Sequence, residues 1–242
     1  MRCYTSAASD DPPWFQQLRA EMLQRDFTHL PEHITGPPES KLSRTLYGHL
    51  PTELCHTPGV NKPVLPAGHH LIWFNPAWPT SELLPDGTDV SQSPGSPWVR
   101  RMWAGGSIQL RPDDYYDKRR GLALDTAMAG VERIKDVRLR GQDDSAKIFV
   151  TIERSFARLD RLKEGYRAAH GSLGRTSGLA RSLKYLEDQV RQDAPWGDAI
   201  LKEERTLVFM KERMTAELEA IKAGEMAVVK YLDRASWPLL PG

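Results

Sequence analysis

Arg100 and Arg101 lie between two tryptophans and a double glycine in the run Trp98-Val99-Arg100-Arg101-Met102-Trp103-Ala104-Gly105-Gly106-Ser107. Arginine offers a fixed fork of donors that suits a phosphate or carboxylate. Tryptophan adds a large flat wall, and paired glycines let a ligand or a neighbouring backbone approach closely, or let a strand bend. The cluster predicts a binding surface or a strained strand start, with Arg100, Arg101, Trp103, Gly105 and Gly106 as candidate substrate-binding residues. Adjacent side chains of a strand diverge. One arginine can therefore meet a phosphate while the other supports the preceding loop through Glu82 or Asp86. The alternative is that both arginines pin that loop by salt bridges, which are common structural devices. Trp73 and Trp103 are expected in the core first and as ligand walls second, and Gly105 and Gly106 are expected to serve backbone shape.

The histidines offer less. His69 and His70 have Asp86 and Asp89 downstream, but neighbouring rings in extended chain point to opposite faces, which predicts one surface and one packed histidine. His29, His33, His49 and His56 show no regular carboxylate spacing, and His170 is expected to be solvated beside a glycine-rich stretch. That stretch, Gly171 to Gly178, lacks the lysine of a phosphate-binding loop and reads as a hinge. Cys3 and Cys55 read as free thiols, and without Cys/His spacing no metal or other cofactor is expected. The runs Lys202-Glu203-Glu204-Arg205 and Lys211-Glu212-Arg213 are expected to be solvated faces carrying weak local ion pairs.

The elements that must position these residues follow from patterning. A chain of 242 residues with 40% hydrophobic and 27% charged content suits a globular domain with helical additions. The formal net charge of +1 argues against broad nucleic-acid binding, and no apolar run approaches the roughly 20 residues that span a bilayer. After Asp10-Asp11-Pro12-Pro13, apolar residues recur at helical spacing to about Phe27. Pro31 to Pro66 reads as irregular connection with a short helix near Lys41 to Leu50. Leu71 to Phe74 suits a buried strand, and strands are expected over Met102 to Leu110, within Leu122 to Leu139 with a kink near Gly130, over Lys147 to Phe156, and over Thr206 to Met210. Phe156 to Val190 reads as two amphipathic helices about the glycine-rich hinge, and Lys211 to Asp233 as a helix interrupted at Gly224.

Six segments carry a resemblance. They are Gly68-His69-His70-Leu71-Ile72-Trp73-Phe74-Asn75-Pro76, Ser81-Glu82-Leu83-Leu84-Pro85-Asp86-Gly87-Thr88, Arg100 to Gly106, Val131-Glu132-Arg133-Ile134-Lys135-Asp136-Val137, Lys147-Ile148-Phe149-Val150-Thr151-Ile152-Glu153-Arg154 and Glu203-Glu204-Arg205-Thr206-Leu207-Val208-Phe209-Met210. In this order, from about Leu65 to Met210, they resemble the N-terminal half of the fungal mitochondrial 3-hydroxyacyl-thioester dehydratases, of the MaoC-like double hot-dog hydratase group. The fold class implied is α+β: a single hot-dog-like domain, a curved antiparallel sheet around a helix, with helical N- and C-terminal extensions. The organisation implied is a disordered or residual targeting segment over 1–9, an N-terminal helix and connection over 10–64, the hot-dog-like domain over 65–210 with a helical, glycine-rich insertion over 156–200, and a helical tail over 211–242.

The resemblance implies dehydration of 3-hydroxyacyl thioesters, or hydration of enoyl thioesters, carried by CoA or acyl carrier protein in fatty-acyl or secondary metabolism, in the mitochondrion. That chemistry needs a proton-transferring pair and donors for an enolate-like oxygen. In the group resembled, an Asp and a His of the second repeat supply the pair. That repeat would follow Met210, where 32 residues without a histidine remain, so no catalytic residue is carried over. The expectation is a hydro-lyase relative without its proton-transfer half, partnered by a second hot-dog chain or a second copy, with no nucleic acid and no membrane span. A non-catalytic module that binds acyl-CoA or a protein is the alternative, and a thioesterase is a third option.

Overall fold

The computed structural model of the protein describes residues 11–49, 64–84, 87–117, 119–171 and 178–224. Its elements in chain order are α1 (Pro13–Leu23), β1 (Thr28–Ile34), α2 (Gly36–Leu46), β2 (Arg100–Leu110), α3 (Pro112–Tyr115), β3 (Thr126–Arg140), β4 (Lys147–Arg158), α4 (Leu159–His170), α5 (Gly178–Arg191), β5 (Leu201–Met210) and α6 (Thr215–Lys222). The strands form one sheet in the order β1-β3-β4-β5-β2, every pair antiparallel. The α+β class expected from the sequence is the one adopted. No described helix is long and apolar enough to cross a membrane.

Alternation along the strands gives the sheet two different faces. On the first, α1 lays Phe15 and Met22 over Val137, Ile148, Val150, Ile152 and Phe209, joined by Trp98. Further along the same face, Leu65, Trp73 and Phe74 pack with Leu30, Ile34, Met128, Phe156 and Leu201. On the second face, α4 and α5 set Leu162, Leu183, Leu186 and Val190 against Ala129, Val131 and Ala157. Each fully buried aliphatic or aromatic side chain contributes roughly 1.5–3 kcal/mol, so these clusters fix which face each strand presents.

Several local expectations are corrected. The residues read as irregular connection after Pro31 include most of β1, whose Pro31 and Glu32 disguise it. An edge strand tolerates a proline because its outward N–H needs no ladder partner. The short helix lies at Gly36–Leu46, earlier than expected. Leu71 to Phe74 is no strand: His69–Ile72 forms a 3-10 turn after Gly68, whose φ of 92° lies in the left-handed region. The irregularity in β3 falls between Ile134 and Asp136 rather than near Gly130. Gly130 is required by packing, since a Cβ there would stand 2.8 Å from the Phe156 ring. Met1 to Ser9, the middle of the glycine-rich hinge and the chain after Gly224 lie outside the described residues.

Candidate functional site

Among the described residues, β2 is one edge of the sheet, with β5 as its single strand neighbour. A bulge at Ala104 interrupts the register between Trp103 and Gly105, as the glycines in the sequence suggested. It does not push Trp103 inward. Trp103 is 68% exposed, and Met102 and Ile108 are exposed as well. The core position expected for Trp103 is therefore wrong, while Trp73 is buried as expected. Gly106 is needed for close approach. A Cβ there would lie 2.4 Å from the Glu204 carbonyl oxygen, inside the β2–β5 ladder.

Between this edge and the turn at 71–75 runs a groove of about 660 Å³. Leu71 and Asn75 line one side, with Trp103, Gly106 and Ile108 on the other and Glu203, Arg205 and Leu207 beneath. The structure thus brings Trp103 and Gly106, two of the expected binding residues, to one groove. Gly105 lies at the bulge beside it. Arg100 turns elsewhere: its guanidinium donates to the Lys211 carbonyl at 3.3 Å and reaches the Met210 sulfur at 3.9 Å. Arg101 pairs with Phe209 in the ladder and alternates onto the face that carries Trp103. Of the loop carboxylates expected behind the arginines, Glu82 pairs with no arginine among the described residues, and Asp86 lies outside them.

Beneath the groove lies a feature that sequence reading missed. Glu132, Arg154 and Glu203 are direct cross-strand neighbours on β3, β4 and β5, and all three are buried, at 3%, 3% and 4% exposure. They form a charged row between the two apolar clusters of the first face. Arg154 Nε donates to Glu132, and its Nη1 donates to the Phe74 carbonyl at 3.3 Å. Gln92 donates to the other Glu132 oxygen at 2.7 Å. His70, 1% exposed, places Nε2 at 3.3 Å from Glu203 Oε2, and Arg205 donates to Glu203 Oε1. Burial pushes the Glu203 carboxyl up. The hydrogen bonds from His70 and Arg205, with the charges of Arg205 and Arg154, outweigh it and hold the group below the usual carboxylate range.

Two expectations fall here. His69 and His70 are both buried rather than one packed and one on the surface, because the 3-10 turn replaces extended chain. The run Lys202 to Arg205 is not a solvated face but part of a strand, and it buries Glu203. The signal was legible: Leu201, Glu203, Arg205, Leu207 and Phe209 share one face, and its ends are apolar. Of the other histidines, His29 pairs with Glu187 at 3.2 Å, far from the groove. His170 ends α4 with its ring 4.6 Å from that of Tyr166.

The sequence profile of the hydroxyacyl-thioester dehydratase type 2 family matches residues 68–195. That is over half of the chain, and the chain belongs to this family. A curated relative is the mitochondrial hydroxyacyl-thioester dehydratase type 2 of Schizosaccharomyces pombe, 34% identical over 97 residues. The match covers 38% of this chain and 30% of that protein, so the chain spans under a third of its relative's length. A remote likeness exists to the crystal structure of the ChsH1–ChsH2 complex from Mycobacterium tuberculosis. Its TM-score is 0.44 at 9% identity, covering 83% of this chain and 93% of that one.

Proposed function

We propose that this protein is the thioester-binding half of a 3-hydroxyacyl-thioester dehydratase in mitochondrial fatty-acyl metabolism. The acyl chain of a CoA or carrier-protein thioester lies in the groove between Leu71 and β2. The observation that carries this reading is the groove itself. It is lined by Leu71, Trp103, Ile108 and Leu207, open along a sheet edge, and set within the segment that the family profile matches. Arg101, two residues from Trp103 on the same strand face, is the arginine suited to a carrier phosphate, by charge and by that position.

The proton-transfer pair belongs to a second hot-dog unit that docks along β2. This edge carries two charges at its start, Arg100 and Arg101, and a bulge at Ala104, but from Gly105 to Leu110 it has no charged residue, proline or bulge, the devices that blunt an edge standing alone. A non-catalytic acyl-CoA-binding module is the second reading. It is favoured by the lining of the groove, which among the described residues includes no histidine.

Incubating the purified chain with crotonyl-CoA and following loss of enoyl absorbance separates the two. The expected result is no turnover by the chain alone and turnover on adding a hot-dog chain that bears the Asp/His pair. Acyl-CoA binding with no turnover under any pairing leaves only the binding module, and failure to bind acyl-CoA overturns both.

A further inference from the structure

An apolar groove that passes over a buried, ionised carboxylate is selective in a way its aliphatic walls are not. The Glu203 carboxylate has two acceptor sites on each oxygen. His70 takes one on Oε2 and Arg205 takes one on Oε1, which leaves acceptor capacity beside the groove that Glu203 and Arg205 line. A plain hydrocarbon chain laid over this floor displaces water from the charged pair and returns no hydrogen bond, which costs binding energy. A chain carrying a hydroxyl at that point replaces the lost water.

We propose that Glu203 is a specificity-determining residue that accepts a hydrogen bond from a hydroxyl on the bound acyl chain, and that His70 is the positioning residue that aims its carboxylate. This rests on the thioester reading above and names the residues by which that groove would tell hydroxyacyl from unsubstituted chains. The positioning role follows from connectivity. His70 stands in the turn that forms one wall of the groove, and its bond to Glu203 ties that wall to β5 across a sequence separation of 133. Arg154 holds the same wall through the Phe74 carbonyl, so the wall stays attached when the His70 bond is removed.

The test is titration of the full chain with 3-hydroxybutyryl-CoA, each enantiomer separately, and with butyryl-CoA. One enantiomer is expected to bind about 10-fold to 100-fold more tightly than butyryl-CoA, the range of one hydrogen bond to a charged group. Glu203→Gln and His70→Gln are expected to shrink that ratio to a few-fold by weakening the hydroxyacyl ligand, and Glu203→Gln is expected to tighten butyryl-CoA somewhat, because the chain no longer desolvates a charge. A purely structural role would weaken both ligands together and would overturn the assignment. If the variants do not fold, the wild-type ratio decides. Equal affinities overturn the hydroxyl selectivity and leave the thioester reading standing. Binding of neither ligand overturns the thioester reading and the selectivity with it.

Discussion

Arg154→Met tests whether the buried charged row is held together by its central cation. Arg154 is the one positive member of the row between two carboxylates, is 3% exposed, and lies in a salt bridge whose two side chains are each 4% exposed. Methionine keeps much of the volume and removes the charge and both described hydrogen bonds. Glu132 is then left with Gln92 alone, and the Phe74 carbonyl loses a donor. Breaking one side of a buried pair costs about 3–5 kcal/mol, because the remaining charge stays desolvated. For a chain of this size that corresponds to a fall in Tm of roughly 6–20 °C. Removing the orphaned charge as well, in Arg154→Met with Glu132→Gln, should return about 1–3 kcal/mol, since directly contacting groups couple at that scale. Urea unfolding followed by circular dichroism on the four members of the cycle measures both quantities. A single-variant loss below about 1 kcal/mol, or strict additivity of the two changes, would refute the claim that Arg154 neutralises the row.

Other outcomes follow from the same geometry. Gly106→Ala places a Cβ against the Glu204 carbonyl and should cost about 1–3 kcal/mol by overpacking. Accelerated hydrogen exchange along β2 should accompany that loss, whereas Gly36→Ala, which meets nothing within 4 Å, should not loosen β2. Glu203 has a lowered pKa in the folded chain, so its contribution is complete above its ordinary value of 4.5 and is lost as pH falls through the folded value. Between about pH 5 and 3 the stability of Glu203→Gln should therefore fall less steeply than that of the wild type, as read from denaturant midpoints in that window. Arg101→Ala should weaken binding of a CoA thioester several-fold while sparing the matching pantetheine thioester. Arg100→Ala should instead lower stability, because Arg100 anchors the Lys211 carbonyl. Equal loss of CoA affinity in both would show that the division between the two arginines is wrong.

How much of this was readable differed by element. The second-face helices announced themselves, since Leu159, Leu162 and Tyr166, then Leu179, Leu183, Leu186 and Val190, repeat at the spacing of a helix stripe. β4 was equally plain, because Ile148-Phe149-Val150-Thr151-Ile152 is an unbroken run of β-branched and aromatic residues. β1 was not, since a strand of Thr-His-Leu-Pro-Glu-His-Ile carries little β propensity and is held by pairing with β3. The turn at His69–Ile72 escaped because a four-residue apolar run has no period that separates strand from turn. Among the binding candidates, Trp103 and Gly106 reach one groove because they lie together in one strand. The row of Glu132, Arg154 and Glu203 did not show, because its members meet only through sheet register. A charged residue in a strand gives no local sign of the neighbour that makes its burial tolerable.

The bare rim at β2 also bears on how the protein is made. A newly synthesised copy displays nine residues from Met102 to Leu110 with no charge to discourage a stray strand from attaching. Under the proposed pairing, a mate delivered in equal amount would seal the rim, and surplus copies would be left to associate through it. Co-expression with such a mate should then raise the yield of recoverable protein, and Ser107→Lys should do the same while closing the rim to any mate.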